Sequence, residues 1–352
     1  MIRKSTTVIS LKVLLLFTIL IFLFSDNTQA QIKSDTVSFL HISDIHYCNL
    51  NNYHPTFVKE RLHYGNVNGS LVNFLNTVPK EMNVDFVVAT GDITDYYEAS
   101  SITGEMLDTQ IEQFAHLINN TYISNVPLYM TLGNHDIASY NVINDSSYNS
   151  SQLNAVQARA AWVRNFNCFR NGTYYSKTVE VDSKNYRLIF LDNGYRPRKK
   201  GDSGNSFVID RFQLDWLEGQ LNMSEDDTEI IFMHMPLFEI PGKDIESSKE
   251  EYHLSSKELF AINHEIDITQ YNSEFYNLLD ERSSARLIIS GHLHGSTVHN
   301  VKFSDNYSLT QVMTGAFARD SQNWRLIQLT DKNIIIYFPG EKQIQYTIPL
   351  NN

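Results

Sequence analysis

The chain has 352 residues, 42% of them apolar, and a formal net charge of −12 at pH 7. It is long enough to bury a full core, as one large domain or two small ones. The acidic balance argues against a long polyanion such as nucleic acid, whose phosphates need clustered Lys and Arg. It leaves room for a small phosphate ester held by a local positive centre.

The first element in chain order is not part of the fold. Arg3, Lys4 and Lys12 make a basic start, Val13 to Phe24 is apolar apart from Thr18, and a polar "SDNTQA" follows with small Thr28 and Ala30. That is the layout of a secretory signal peptide, and its apolar run is shorter than the roughly 20 residues a membrane span needs. The expectation is cleavage after Ala30, a secreted or periplasmic product without a stable membrane span, and a single domain over residues 31–352. Two cysteines, Cys48 and Cys168, could form one bridge in an oxidising compartment; there is no CxxC. Asn68, Asn144, Asn171 and Asn306 each start an N-x-S/T sequon.

Short apolar runs then alternate with helical patterns. "VSFLHIS" (37–43) reads as a strand. Leu71, Phe74, Leu75 and Val78 recur at helical spacing, with Ser70 as N-cap and Pro79 as the stop. "DFVVATG" (85–91) reads as a strand buried on both faces. A helix is expected over 107–118, a strand at "VPLYMTLG" (126–133) and a helix over 152–166. This βαβαβ order predicts parallel strands with crossover helices. "TYYSKTVEV" and "NYRLIFLDNG" look like paired strands, and "DRFQLDWLEGQL" (210–221) like an amphipathic helix capped by Asp210. "EIIFMHMP" and "ARLIISGHLHG" are two more buried strands, and the region from Thr297 to Pro349 is strand-rich. Two polar segments interrupt the pattern. One is the basic run 196–205, a candidate hold for a second anionic group though such runs are more often solvated loops. The other, 242–270, is long enough to be a lid or insert.

The residues that follow the strands carry the chemistry. "VSFLHIS" is followed by Asp44-Ile45-His46, "DFVVATG" by Asp92, "LYMTLG" by Asn134, His135 and Asp136, "EIIFM" by His234, and "LIISG" by His292-Leu293-His294. In an open α/β sheet, sites form at the carboxyl ends of strands, where sequence-distant groups converge. The i, i+2 pairs Asp44/His46 and His292/His294 would face one way in an extended segment. Carboxylate, imidazole and amide oxygen suit Mn, Fe, Zn or Co. Seven of these side chains, Asp44, His46, Asp92, Asn134, His234, His292 and His294, are too many for one ion. With Asp92 as a bridge they divide into two sets of four, a two-metal site. Two divalent ions outweigh Asp44 and Asp92 and attract a phosphate. A bridging hydroxide would then attack phosphorus in line.

The ordered blocks "DIH … GD … GNHD … H … GHLH" resemble the calcineurin-like metallophosphoesterases, over most of the chain after residue 30. "LDNG" (191–194), "QLDWLEGQL" (213–221) and "MTGAFARD" near the end are similar too. The resemblance implies an α/β fold of two packed mixed β-sheets flanked by helices, a four-layer sandwich. It implies one ion on Asp44, His46, Asp92 and His294, and the other on Asp92, Asn134, His234 and His292. It also implies His135 as the acid that protonates the leaving alcohol, with Asp95 orienting it. Three residues after Asp92 stands Asp95, where purple acid phosphatases carry Tyr, and the calcineurin-type "GDxxDRG" is absent. What remains resembles the bacterial-type phosphodiesterase and phosphoesterase branch. The expected activity is phosphoester hydrolysis, diesters preferred. A phosphomonoesterase or nucleotidase on the same site and a non-catalytic metal-binding scaffold are the alternatives. His41 reads as structural, while His54 and His63 sit where they could touch substrate.

Overall fold

The computed structural model describes residues 33–350 except 65–66, 123, 196–208, 225–226, 238–250, 256–269, 282–283 and 303–306. The expected signal peptide, the basic run 196–205 and most of the 242–270 insert lie outside the described residues. Among the described residues the strands in chain order are β1 (Lys33–Ser34), β2 (Val37–Ile42), β3 (Phe86–Thr90), β4 (Glu98–Ser100), β5 (Met106–Leu107), β6 (Leu128–Thr131), β7 (Ser139–Asn144), β8 (Ser147–Ser151) and β9 (Tyr175–Val181). They continue with β10 (Lys184–Phe190), β11 (Thr228–Phe232), β12 (Glu251–Ser255), β13 (Ala285–Ser290), β14 (Thr297–Lys302), β15 (Ser308–Met313), β16 (Trp324–Leu329), β17 (Asn333–Tyr337) and β18 (Ile344–Pro349). The helices are α1 (Pro55–Arg61), α2 (Asn68–Glu81), α3 (Gln110–Thr121), α4 (Ala155–Asn165), α5 (Arg211–Asn222) and α6 (Gln270–Glu281).

Two large mixed sheets form the body. One has the order β18-β17-β16-β2-β3-β6, the other β1-β9-β10-β11-β13-β15-β14-β12. The expected parallel pairs, β2 with β3 and β3 with β6, are present in one sheet; in the other, β9 and β10 pair antiparallel, and β10 with β11 and β11 with β13 run parallel. The carboxyl ends of the parallel strands are therefore gathered at one edge of each sheet.

Between the sheets the core is aromatic. Phe39 stacks on Phe86 at 4.9 Å and meets Phe232 of the other sheet edge-on at 5.7 Å. Phe232 in turn stacks on Phe190 at 4.7 Å. Each such side chain contributes about 1.5–3 kcal/mol when taken from water. Because side chains alternate along a strand, Ile189, Ile231 and Ile288 face away from the sheet interface and meet Leu214, Leu217 and Leu221 of α5 and Phe275 and Leu279 of α6. Leu71 and Phe74 of α2, Phe114 of α3 and Trp162 of α4 join the main core, completing the outer layer of the other sheet.

Several local expectations change. α2 starts at Asn68, so Ser70 lies in its first turn and is no cap, and the helix runs past a buried Pro79 to Glu81. A proline so near the C-terminus removes one ladder bond only. Asp210 does cap α5, accepting from Gln213 N at 3.0 Å. A third sheet, β5-β4-β7-β8, was not foreseen. Its strands are polar, Ser–Tyr–Asn rich, and offer no apolar run to read. Residues 251–255 of the long insert pair as β12 with β14. Cys48 and Cys168 form no disulfide, and burial pushes each thiol up to about 12.

Candidate metal centre

At the carboxyl ends of β2, β3 and β13 the backbone turns sharply. Asp44, His46, Asp92, His292 and His294 have φ of 51°, 47°, 47°, 70° and 58°. Non-glycine residues rarely adopt this left-handed conformation, and each instance stores of order 1–3 kcal/mol of strain. This corrects the extended-segment expectation: the members of each i, i+2 pair converge because both sit in left-handed turns. The turns are pinned to one another. Asp44 N donates to Gly91 O at 3.2 Å, His46 N to Asp92 O at 2.8 Å, and Gly291 N to His234 O at 3.1 Å. Asp136 fastens the Asn134–His135 turn by accepting from Gly133 N at 2.7 Å and Thr94 N at 2.8 Å. Burial and the negative Asp92 push its carboxyl up to about 7.

The glycines in these motifs leave space for the acidic ligands. A Cβ on Gly133 would lie 2.2 Å from Asp92 Oδ1, and one on Gly291 would lie 1.7 Å from Ser43 Oγ and 2.5 Å from Asp44 Oδ2. Gly291→Ala must therefore displace Ser43 and Asp44. The expected result is about 1–3 kcal/mol of lost stability from overpacking, together with weaker metal uptake. Thermal melting and metal titration of the variant check this, and unchanged values in both would refute the tight fit.

Side chains from four of the five strand ends, those of β2, β3, β11 and β13, meet in two groups. Ligand atoms of Asp44, His46 and His294 lie within 4.8 Å of one another, and so do those of Asp92, His234 and His292. Asp92 Oδ2 lies 3.2 Å from His234 Nε2 and 3.8 Å from His46 Nε2, between the groups. His294 Nε2 is 3.4 Å from Asp44 Oδ1 and 3.4 Å from His46 Nε2. Asp44, His46, Asp92 and His234 are buried, whereas Asn134, His135, His292 and His294 are partly exposed and form the open side.

Around these side chains stand Asp95 and Asn193, which the resemblance marks, and Arg61, Tyr64 and Tyr140, which no motif marks. Asp95 accepts from His46 Nδ1 at 2.9 Å and lies 3.3 Å from His135 Nδ1. Arg61 of α1 holds the same carboxylate with a two-pronged ion pair, one prong being Nε to Oδ2 at 2.6 Å. Despite the opposing effect of burial, the histidines and Arg61 hold Asp95 well below the usual carboxylate range. Tyr64 stacks on His46 at 4.0 Å and lies under the Arg61 guanidinium at 4.7 Å. The Tyr140 hydroxyl is 3.2 Å from His135 Nδ1. His234 Nδ1 donates to Thr90 O at 2.8 Å, which leaves Nε2 for the site. Asn193, within the "LDNG" stretch, accepts from the His234 and Met235 amides at 3.0 Å.

A further cluster, His46, Asp95 and His135, is close enough to hold an ion. Its carboxylate is already filled by the Arg61 fork, and a guanidinium there opposes a cation. His41 is a satisfied core residue, each ring nitrogen 2.7 Å from a threonine hydroxyl, and burial lowers it to about 3. His54 accepts from Thr56 N and caps α1.

Metal ions fit the two groups on the donors' own chemistry. Asp44 Oδ1, Asn134 Oδ1 and His234 Nε2 are buried atoms without a hydrogen-bond partner. Buried polar atoms are almost always paired; Asp44 and His234 belong to the two groups, and Asn134 precedes His135, whose N–H donates to Asp92 Oδ1.

Residues 37–296 match the family model described as calcineurin-like phosphoesterase. The chain belongs to that family, and it is a metal-dependent phosphoester hydrolase. No curated protein matches it at a significant level. Among solved structures, a dimetal phosphatase from Danio rerio is 13% identical with a TM-score of 0.53, covering 89% of this chain and 98% of that one. GAP50, the anchor in the inner membrane complex of Plasmodium, is 14% identical with a TM-score of 0.50, covering 90% and 89%. At such identities the likeness is one of fold. Among the described residues no helix is long and apolar enough to cross a membrane.

Proposed function

We propose that the chain is an extracytoplasmic phosphodiesterase with a dinuclear centre. The observation that carries the centre is Asp92, whose Oδ2 stands between the His234 and His46 imidazoles. Asp44, His46, Asp92 and His294 would hold one ion, and Asp92, Asn134, His234 and His292 the other. When bound, the pair supplies Lewis-acid stabilisation of the phosphoryl oxygens and lowers the pKa of a coordinated water. Mn, Fe, Zn or Co suit these donors. The buried Cys48 thiol is held protonated and adds no thiolate.

The chain's own residues orient the reaction. Asp95 and Thr90 fix the Nδ1 faces of His46 and His234, so that both turn Nε2 to the site. His135 Nδ1 lies 2.9 Å from the Asp95 carbonyl, which leaves Nε2, 4.0 Å from Asp92 Oδ2, as the proton-delivering atom. Burial disfavours a charged His135, but Asp92 and Asp95 outweigh it and raise its pKa. As the P–O bond breaks, that proton passes to the departing oxygen. The diester preference is supported by Arg61, whose guanidinium is taken by the Asp95 carboxylate beside the site and so is not offered to the second charge of a monoester dianion.

His135→Ala is expected to keep its metal and lose about 10²–10⁴ in kcat on an alkyl ester. It should lose much less on a nitrophenyl ester, whose leaving group needs little protonation. Equal losses on both would show that His135 is not the acid. The whole reading is tested on purified chain by assaying bis(p-nitrophenyl) phosphate beside p-nitrophenyl phosphate with added manganese. Faster diester turnover is expected; faster monoester turnover would reverse the preference, and no turnover of either would overturn the hydrolase. The extracytoplasmic placement is checked by the N-terminus of the exported product, expected at Gln31.

A further inference from the structure

A cavity of about 640 Å3 lies between α4 and α5, apart from the metal ligands. Its lining includes Arg159 and Val163 of α4, Thr173 and Tyr174 before β9, and Trp216 of α5. Sites for organic ligands commonly have this size. The cavity is tied to the metal centre by a short piece of chain. Arg159 donates to Asp192 at 2.6 and 3.1 Å and lies over the Tyr195 ring at 5.2 Å. Asn193, next to Asp192, holds the His234 amide. Gly194, next to Tyr195, packs so tightly on the Gly133–Asn134 backbone that a Cβ there would lie 2.5 Å from Gly133 C. One residue is about 3.8 Å of chain, so the near wall of the cavity stands on the order of 10 Å from Asn134.

The chemistry of the lining is specific. The Tyr174 and Trp216 rings meet at 5.1 Å and 59°, giving two flat faces set as an open wall. Among the described residues, the Tyr174 hydroxyl, the Trp216 indole N–H and the Arg159 NH1 group have no hydrogen bond, although all three residues line the cavity. The Asp192 carboxylate beside them is filled by Arg159 and by Thr173 Oγ1 at 2.7 Å, so the hydroxyl protons of a carbohydrate find no free carboxylate. Aromatic faces with spare donors suit a flat ring bearing acceptor atoms. Val156, four residues before Ala160, and Phe212, four before Trp216, are 75% and 81% exposed. Helical spacing puts them on the cavity side of α4 and α5, where they extend the apolar rim.

We propose that this cavity binds the nucleobase of a nucleoside phosphoester whose phosphorus sits at the metal centre. The proposal rests on the phosphoesterase reading above and adds a substrate class to it. The base stacks on Trp216 and Tyr174, and its ring nitrogens and carbonyls accept from the spare donors.

The test has a binding arm and a kinetic arm. Adenosine is titrated into the full chain with tryptophan fluorescence as readout. Trp162 and Trp324 are buried and Trp216 is partly exposed, so saturable quenching reports this cavity. Calorimetry then compares the wild type with Trp216→Ala, expected to weaken adenosine about tenfold, and with Trp216→Phe, expected to keep most of the affinity because a ring face remains. In the kinetic arm, the ratio of kcat/KM for the p-nitrophenyl ester of thymidine 5′-phosphate to that for bis(p-nitrophenyl) phosphate should fall about tenfold in Trp216→Ala. No saturable adenosine binding, or equal binding by Trp216→Ala and wild type, overturns the proposal even if the hydrolase stands. Adenosine binding without turnover of either ester overturns the hydrolase and leaves the cavity assignment in place.

Discussion

Asp92→Asn is expected to strip both ions and lower kcat/KM on bis(p-nitrophenyl) phosphate by about 10³ or more. The substitution keeps the shape of the side chain and removes its charge. Asp92 Oδ2 faces His234 of one group at 3.2 Å and His46 of the other at 3.8 Å, so one neutralised oxygen weakens both positions. Its Oδ1 also accepts from His135 N at 2.9 Å. An amide that turns its NH2 to that N–H loses this bond and loosens the turn carrying Asn134 and His135. Metal analysis and circular dichroism of the same preparation check the result. A folded variant that loses a single ion would show that Asp92 is no bridge.

Arg61→Ala is the second large effect, and it falls on a residue that no motif marked. Asp95 is fully buried and Arg61 is its cationic partner. Removing one member of a buried pair leaves an uncompensated charge and costs about 3–5 kcal/mol, a drop in melting temperature of about 10 °C. The loss should reach the metals as well, because Asp95 sets the orientation of His46 through a 2.9 Å hydrogen bond. Disturbing such outer partners weakens metal binding by about 10- to 100-fold. Arg61→Lys should recover part of the stability but not the fork geometry. Thermal melts and metal titrations on the two variants decide the matter. Wild-type melting and affinity in Arg61→Ala would remove Arg61 from the account.

These two residues mark where the sequence is legible and where it is not. Asp92, like Asp44, His234 and the His292/His294 pair, follows an apolar run that can only be a buried strand. Its position at a strand end is therefore readable without any structure, and the parallel order of β2, β3 and β6 follows from the helices between them. Arg61 ends an ordinary amphipathic helix, and its partner lies 34 residues away; nothing local distinguishes it from a surface arginine. Tyr64 and Tyr140 are hidden for the same reason, since aromatic residues are equally explained by packing. The small sheet that carries Tyr140 is polar and has no period to detect. The left-handed turn at Asp92 could have been suspected from the neighbouring Gly91, but those at Asp44 and His46 have no adjacent glycine and are visible only in the backbone.

The central claim is that two imidazoles separated by one residue serve two different ions. His292 falls in the group with Asp92 and His234, and His294 in the group with Asp44 and His46. The most direct measurement is the number of manganese ions bound per chain in the wild type, His292→Ala and His294→Ala, each loaded and dialysed identically. The account predicts two ions in the wild type and one in each variant. A single ion in the wild type, lost in both variants, would contradict it.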